Sequence, residues 1–144
     1  MSADNQKRLI AIDYGEKRVG IAVTDPLKMF AYPLVTLSND SRLIDEIKSL
    51  LNEYECEKII LGLPLKESGE HSKSTEAAIK FKEKLESSIL LPVEFMDERY
   101  SSSIARERII EGVKSKKKRR DKGLIDRNAA CIILEDYLSS ISLK

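Results

Sequence analysis

Histidine, cysteine and tryptophan are scarce in this chain: its 144 residues hold one histidine, two cysteines and no tryptophan. A lone His71, in the polar run Ser68-Gly69-Glu70-His71-Ser72, excludes any site built on several imidazoles and reads as a loop or helix-start residue. Cys56 and Cys131 are too few and too far apart for a cysteine-rich metal site, and both are expected to be reduced and structural. An aromatic content of 6% gives little basis for stacking single-stranded bases. The glycine-rich nucleotide loop Gly-x-x-x-x-Gly-Lys is absent, as are internal repeats and linker-like stretches. No run approaches the length of a membrane-spanning helix, and residues 1–8 are polar and lead straight into a strand pattern without the apolar segment of a signal peptide. A cytoplasmic protein with no membrane partner is expected.

What is present suits one soluble domain over residues 1–144, with 42% hydrophobic and 34% charged residues. The formal net charge of +1 hides an asymmetry. Residues 106–127 carry ten lysines and arginines against four acids, and the rest of the chain carries 15 against 20. The densest part is Lys114-Ser115-Lys116-Lys117-Lys118-Arg119-Arg120-Asp121-Lys122. Such a run suits a polyanion, because each phosphate it neutralises releases counterions; the alternative is a solvated loop that binds nothing specific.

Two β-rich runs, residues 9–13 and 19–24, flank the turn Tyr14-Gly15-Glu16-Lys17 and predict a hairpin. Residues 29–36 add an edge strand, the one sheet position that tolerates Pro33. After Asn39-Asp40-Ser41, a ready helix cap, Leu43, Ile44, Ile47, Leu50, Leu51 and Tyr54 recur at helical spacing. Residues 58–62 and 92–96 read as buried strands around a helix over residues 72–88, whose Ala77, Ala78, Phe81 and Leu85 face inward. A helix capped by Ser101-Ser102-Ser103 runs to residue 110, and a last one spans residues 124–141 with Ile125, Ala129, Ala130, Ile133, Tyr137 and Leu138 inward. The order βββαβαβαα predicts an α/β fold: a mixed five-stranded sheet, three antiparallel strands and then two parallel ones, flanked by helices.

Asp13 stands at the tip of the first hydrophobic strand, where a carboxylate is costly unless a cation, a donor or a metal meets it; as a simple turn residue it would need none. In such sheets ligands gather beyond the carboxyl ends of the parallel strands. Asp13, Gly62-Leu63-Pro64 and Asp97-Glu98 all fall at those ends, and Asp126 joins them if the last helix packs beside the first strand. Taken singly, Asp97 or Glu98 could cap a helix or pair with Arg99, and Asp126 could serve its helix's positive end. Together, oxygen ligands without histidine or cysteine suit a hard ion, Mg²⁺ or Mn²⁺, and carboxylates beside a basic run suit phosphodiester chemistry.

Four motifs in order, Asp13-Tyr14-Gly15 with Arg18-Val19-Gly20, Gly62-Leu63-Pro64, Asp97-Glu98-Arg99 and Lys122-Gly123-Leu124-Ile125-Asp126-Arg127-Asn128-Ala129-Ala130, resemble those of the YqgF or RuvX family. That family is described as Holliday-junction resolvases and as nucleases maturing the 5′ end of pre-16S ribosomal RNA. The resemblance covers nearly the whole length. It implies a ribonuclease H-like fold and acidic catalytic residues at Asp13, Glu98 and Asp126, which would also hold the metal. The wider ribonuclease H group commonly has an acid after the fourth strand, where this chain has Gly62-Leu63-Pro64, so Glu98 has to substitute from one strand over. Asp97 is the alternative ligand, although alternation along a strand points it the other way. On this reading Arg18 and Arg99 meet the scissile phosphate, while Lys116, Lys117, Lys118, Arg119 and Arg120 hold the flanking backbone without reading bases. The expected partner is nucleic acid, RNA on the family's description, with branched DNA or a non-catalytic ribosome-assembly role as alternatives. A monomer suits RNA processing; a resolvase that cuts two symmetric strands needs at least a weak dimer. The Asp-x-Gly hairpin also opens the sugar-kinase and actin superfamily, but those proteins need two such domains and 144 residues hold one.

Overall fold

The computed structural model describes residues 6–98 and 122–142; the helix predicted over residues 101–110, Arg99 and the basic run 114–121 lie outside the described residues. Runs of Ile, Val, Leu and Ala form β1 (Arg8–Tyr14) and β2 (Arg18–Thr24), which pair antiparallel. Gly15 turns the chain between them, and a side chain there would come within 2.5 Å of the Arg18 carbonyl oxygen. Asn39 braces the turn, its Nδ2 donating to the Gly15 carbonyl at 2.7 Å and its N–H to that of Lys17 at 2.9 Å. β3 (Ala31–Ser38) lies along β2 at the sheet edge and carries Pro33.

From β1 outward on the other side the sheet is parallel. β4 (Cys56–Leu63) pairs with β1, and β5 (Val93–Asp97) pairs with β4, which gives the strand order β3-β2-β1-β4-β5. The helices α1 (Leu43–Glu53) and α2 (Lys73–Ser88) connect into the parallel strands, and α3 (Lys122–Ser142) closes the described chain. No described helix is long and apolar enough to cross a membrane.

Two cores separate the faces. On one, Ile10, Ile12, Val19, Ile21, Val23, Ile59, Leu61 and Val93 of the sheet pack with Leu43, Ile47 and Leu51 of α1 and with Phe81 and Leu85 of α2. On the other, Leu9, Ala11, Ala22 and Ile60 pack with Ala130, Cys131, Ile133, Leu134 and Tyr137 of α3. Both cysteines are buried free thiols, and burial pushes Cys56 up to about 11 and Cys131 up to about 12. They are protonated at neutral pH and serve as small hydrophobes.

Three local readings differ from the structure. Asp40 does not cap α1: the residue before that helix is Arg42, whose side chain makes no cap bond, and the Asp40 carboxylate folds back to accept from the Arg42 N–H at 2.9 Å. Ala77 of α2 is exposed, and the buried place in its first turn belongs to Thr75. Thr75 completes a capping box with Ser72 and donates its hydroxyl to the Pro64 carbonyl, which ties the head of α2 to the loop after β4. Helix α3 is buried on nearly every side between Ala130 and Leu134, so its one-faced reading missed Cys131, Ile132 and Leu134.

Candidate active site

Alternation along β1 sets the direction of Asp13. Leu9 and Ala11 belong to the α3 face and Ile10 and Ile12 to the opposite one, so Asp13 follows onto the α3 face at the carboxyl end of the strand. Tyr14 turns the other way and stacks on Phe81 of α2, ring centroids 4.1 Å apart. A polar side chain thus follows a buried apolar strand at the point where the hairpin begins.

Asp13 pairs with Gly20 of β2, and Gly20 is where α3 meets the sheet. A Cβ on Gly20 would fall 2.0 Å from the Asp126 carbonyl oxygen and 2.9 Å from the Arg127 nitrogen. The first turns of α3 therefore rest on bare backbone directly beside Asp13. Asp126 is held there by Arg18, whose Nε donates to Asp126 Oδ2 at 2.8 Å; the two residues are 108 positions apart in sequence. Arg127 reaches β3, its Nη1 donating to Thr36 Oγ1 at 3.4 Å.

The third acid arrives from the opposite side. The Glu98 N–H donates to the Leu63 carbonyl at 3.2 Å, which extends the β4–β5 ladder one step past Asp97. Val93 and Phe95 pack in the α1/α2 core while Met96 packs against the α3 core, so alternation sends Asp97 to the former face and Glu98 to the latter. The Glu98 carboxyl group lies over Gly62, with Cδ and Oε1 each 3.1 Å from where a Gly62 Cβ would be. Glu98, not Asp97, is the acid delivered to the α3 face.

Asp13, Glu98 and Asp126 thus share one face at the carboxyl ends of β1 and its parallel neighbours. Their donor chemistry, carboxylate oxygens alone, fits a hard divalent cation. Among the described residues no group of three His, Cys, Asp or Glu side chains is drawn together tightly enough to hold an ion, and one Asp126 oxygen already serves Arg18. The Arg18 and Asp126 side chains are 41% and 22% exposed, so screening keeps their pair weak. Arg18→Gln is expected to cost no more than about 1 kcal/mol in urea unfolding, which leaves any larger loss in nucleic-acid binding or cleavage attributable to the site.

Arg99, Lys116, Lys117, Lys118, Arg119 and Arg120 fall outside the described residues. His71 stands at the head of α2, its Nδ1 2.8 Å from Glu76 Oε1. Gly20 and Gly62 stand within the sequence motifs, which do not by themselves show why either is glycine. The available signal was a glycine inside a strand of buried β-branched residues, which marks a close approach.

A 3-2-1-4-5 sheet with an antiparallel half, a parallel half and acids on one face at the carboxyl ends defines a ribonuclease H-like fold. Thermus thermophilus RuvC in complex with a Holliday junction substrate shares it at a TM-score of 0.57 and 13% identity, over 94% of this chain and 96% of that one. So does the Fowlpox virus resolvase, solved with Holliday junction DNA, at a TM-score of 0.52 and 14% identity over 93% and 98%.

The chain itself belongs to the RuvX family, described as Holliday junction resolvase, which it matches over residues 7–140. Among curated relatives, a protein of Chlorobium phaeobacteroides named "Putative pre-16S rRNA nuclease" is 44% identical over 93% of both chains. Relatives bearing the same name are 38% identical in Paraburkholderia phymatum, over 99% of this chain and 91% of the other, and 40% identical in Porphyromonas gingivalis, over 92% and 96%.

Proposed function

We propose that this chain is a metal-dependent nuclease that hydrolyses phosphodiester bonds, with the 5′ end of pre-16S ribosomal RNA as its substrate. The observation that carries the reading is the delivery of Asp13, Glu98 and Asp126 to one sheet face by three separate devices: strand alternation, a ladder extended past β5, and a helix seated on Gly20. The names of the curated relatives favour RNA. A cytoplasmic protein that works as a monomer suits that substrate.

Asp13 and Glu98, with Asp126 once it exchanges Arg18 for the cation, would hold Mg²⁺ or Mn²⁺. Such an ion supplies an activated water at neutral pH and charge stabilisation for the leaving oxygen. Asp13, on a rigid strand, would fix where that cation sits and through it where the reacting phosphate is held. Arg18, freed from Asp126, donates to a non-bridging oxygen of that phosphate, and Arg99 assists. Lys116, Lys117, Lys118, Arg119 and Arg120 hold the flanking backbone through charge alone.

The test incubates the purified protein with precursor 16S RNA and with four-way DNA junctions, with Mg²⁺ or Mn²⁺ and with chelator. Metal-dependent release of the mature 5′ end is the expected result. Symmetric cutting of the junction by a dimer in sedimentation would favour the second reading, a resolvase, which the RuvX family's description supports. Absence of cleavage of either substrate would overturn both in favour of a non-catalytic assembly factor.

The basic run gives a separate expectation. Replacing Lys116, Lys117, Lys118, Arg119 and Arg120 together with serine should weaken RNA binding without loss of folding. It should also flatten the plot of log affinity against log salt by roughly 0.7 to 0.9 for each phosphate that is no longer neutralised. An unchanged slope in a filter-binding series would return the run to a solvated loop.

A further inference from the structure

Gly62 lies on β4 between the two strands that bring Asp13 and Glu98. It pairs with Met96 of β5, and the preceding residue Leu61 pairs with Ile12 of β1, so one step further Gly62 runs beside Asp13. Its Cα points its missing side chain at the α3 face, as Ile60 does two residues earlier. Two groups occupy that missing volume. The Glu98 carboxyl group stands 3.1 Å from the would-be Cβ and the Ile133 Cδ1 methyl 2.6 Å from it. Ile133 is 1% exposed and locked in the core, whereas Glu98 is half-buried on a flexible stem. A methyl group at position 62 would therefore clash hardest with the Ile133 Cδ1 methyl and would also push the Glu98 carboxylate a few tenths of an ångström out of its place.

We propose that Gly62 is a positioning residue: by having no side chain it reserves, at the end of β4, the seat that the Glu98 carboxylate fills from beyond β5. The seat belongs to the sheet and not to Glu98, so a carboxylate built directly on position 62 can refill it. This rests on the reading of Glu98 as a ligand of the catalytic cation, and it goes further in assigning a role to the glycine of Gly62-Leu63-Pro64 and in making the ligand position transferable between two strands.

The test is a titration of the metal-free protein with Mn²⁺, followed calorimetrically or by electron paramagnetic resonance, with circular dichroism to confirm folding. Glu98→Ala is expected to weaken Mn²⁺ binding by about 100-fold, and Gly62→Ala by about tenfold or more. Valine lacks the δ-methyl, so Gly62→Ala with Ile133→Val leaves the Glu98 carboxylate as the close contact, and its binding should stay weak while Ile133→Val alone binds as the parent does. Gly62→Asp combined with Glu98→Ala and Ile133→Val should recover affinity to within about tenfold of the parent, together with part of the cleavage rate. Normal Mn²⁺ affinity in Gly62→Ala/Ile133→Val, or a folded Gly62→Asp/Glu98→Ala/Ile133→Val without recovery, overturns the seat and leaves the nuclease reading standing. Undiminished Mn²⁺ affinity in Glu98→Ala overturns Glu98 as a ligand and the seat with it.

Discussion

Asp13→Asn is expected to abolish metal-dependent cleavage while leaving the fold intact. Asparagine has the shape of aspartate and keeps a carbonyl acceptor, so the hairpin, its Asn39 brace and the pairing with Gly20 all survive the change. What disappears is a negative charge at the end of β1, on the face that also receives Glu98 and Asp126. A bound divalent ion contributes several kcal/mol of transition-state stabilisation, and each ~1.4 kcal/mol is tenfold in rate, so a fall of about a thousandfold is expected. Thermal unfolding should be little changed, because asparagine keeps the size and an acceptor oxygen of the aspartate it replaces. The check is single-turnover cleavage of precursor RNA in Mg²⁺ and in Mn²⁺ beside a melting curve for each protein. Equal rates for Asp13→Asn and its parent would remove Asp13 from the site, whatever the family resemblance implies.

The parts of this molecule that were legible in sequence are those fixed by period. Alternation in Leu9-Ile10-Ala11-Ile12 fixes which face Asp13 takes, and the same rule separates Glu98 from Asp97. The change from antiparallel to parallel pairing also followed from short rules, since a hairpin, an edge strand with Pro33 and two helical crossovers leave few arrangements. Relations that depend on the third dimension alone were not legible. The Arg18–Asp126 pair spans 108 residues, and nothing local to either motif announces it. Gly20 and Gly62 looked like ordinary strand glycines because what excludes a side chain there is a helix and a carboxylate from elsewhere in the chain. Helix α3 misled for a related reason: a segment covered on several sides has no polar face to mark its period, so Cys131, Ile132 and Leu134 escaped a reading that sought one stripe.

Gly20→Ala is expected to be the most damaging single-methyl change in the described structure. Its Cβ would stand 2.0 Å from the Asp126 carbonyl oxygen, 2.3 Å from the Asp126 carbonyl carbon and 2.9 Å from the Arg127 nitrogen. All three are backbone atoms, so no rotamer change gives relief and α3 itself has to move. Further along, α3 is anchored by Ile133, Leu134 and Tyr137, and the sheet beneath it already carries methyl groups at Ala11 and Ala22, both fully buried. The helix therefore approaches the sheet most closely at its first turns, and those turns must lift. Lifting them stretches the 2.8 Å pair between Arg18 and Asp126 and carries Asp126 away from Asp13. Overpacking of this kind costs about 3 kcal/mol, and at roughly 3 °C per kcal/mol for a chain of this size the midpoint of thermal unfolding should fall by about 10 °C. Cleavage measured well below that midpoint should still be reduced by about tenfold or more, because the defect lies in where Asp126 sits and not only in how much protein is folded. Ala22→Gly, a change of the opposite sense on the same strand face, provides the control: it should lower stability by about 1 kcal/mol and leave the cleavage rate of the folded protein alone. A Gly20→Ala protein that melted with its parent would mean that the head of α3 does not rest on β2, and the third carboxylate would lose the device that brings it to the other two.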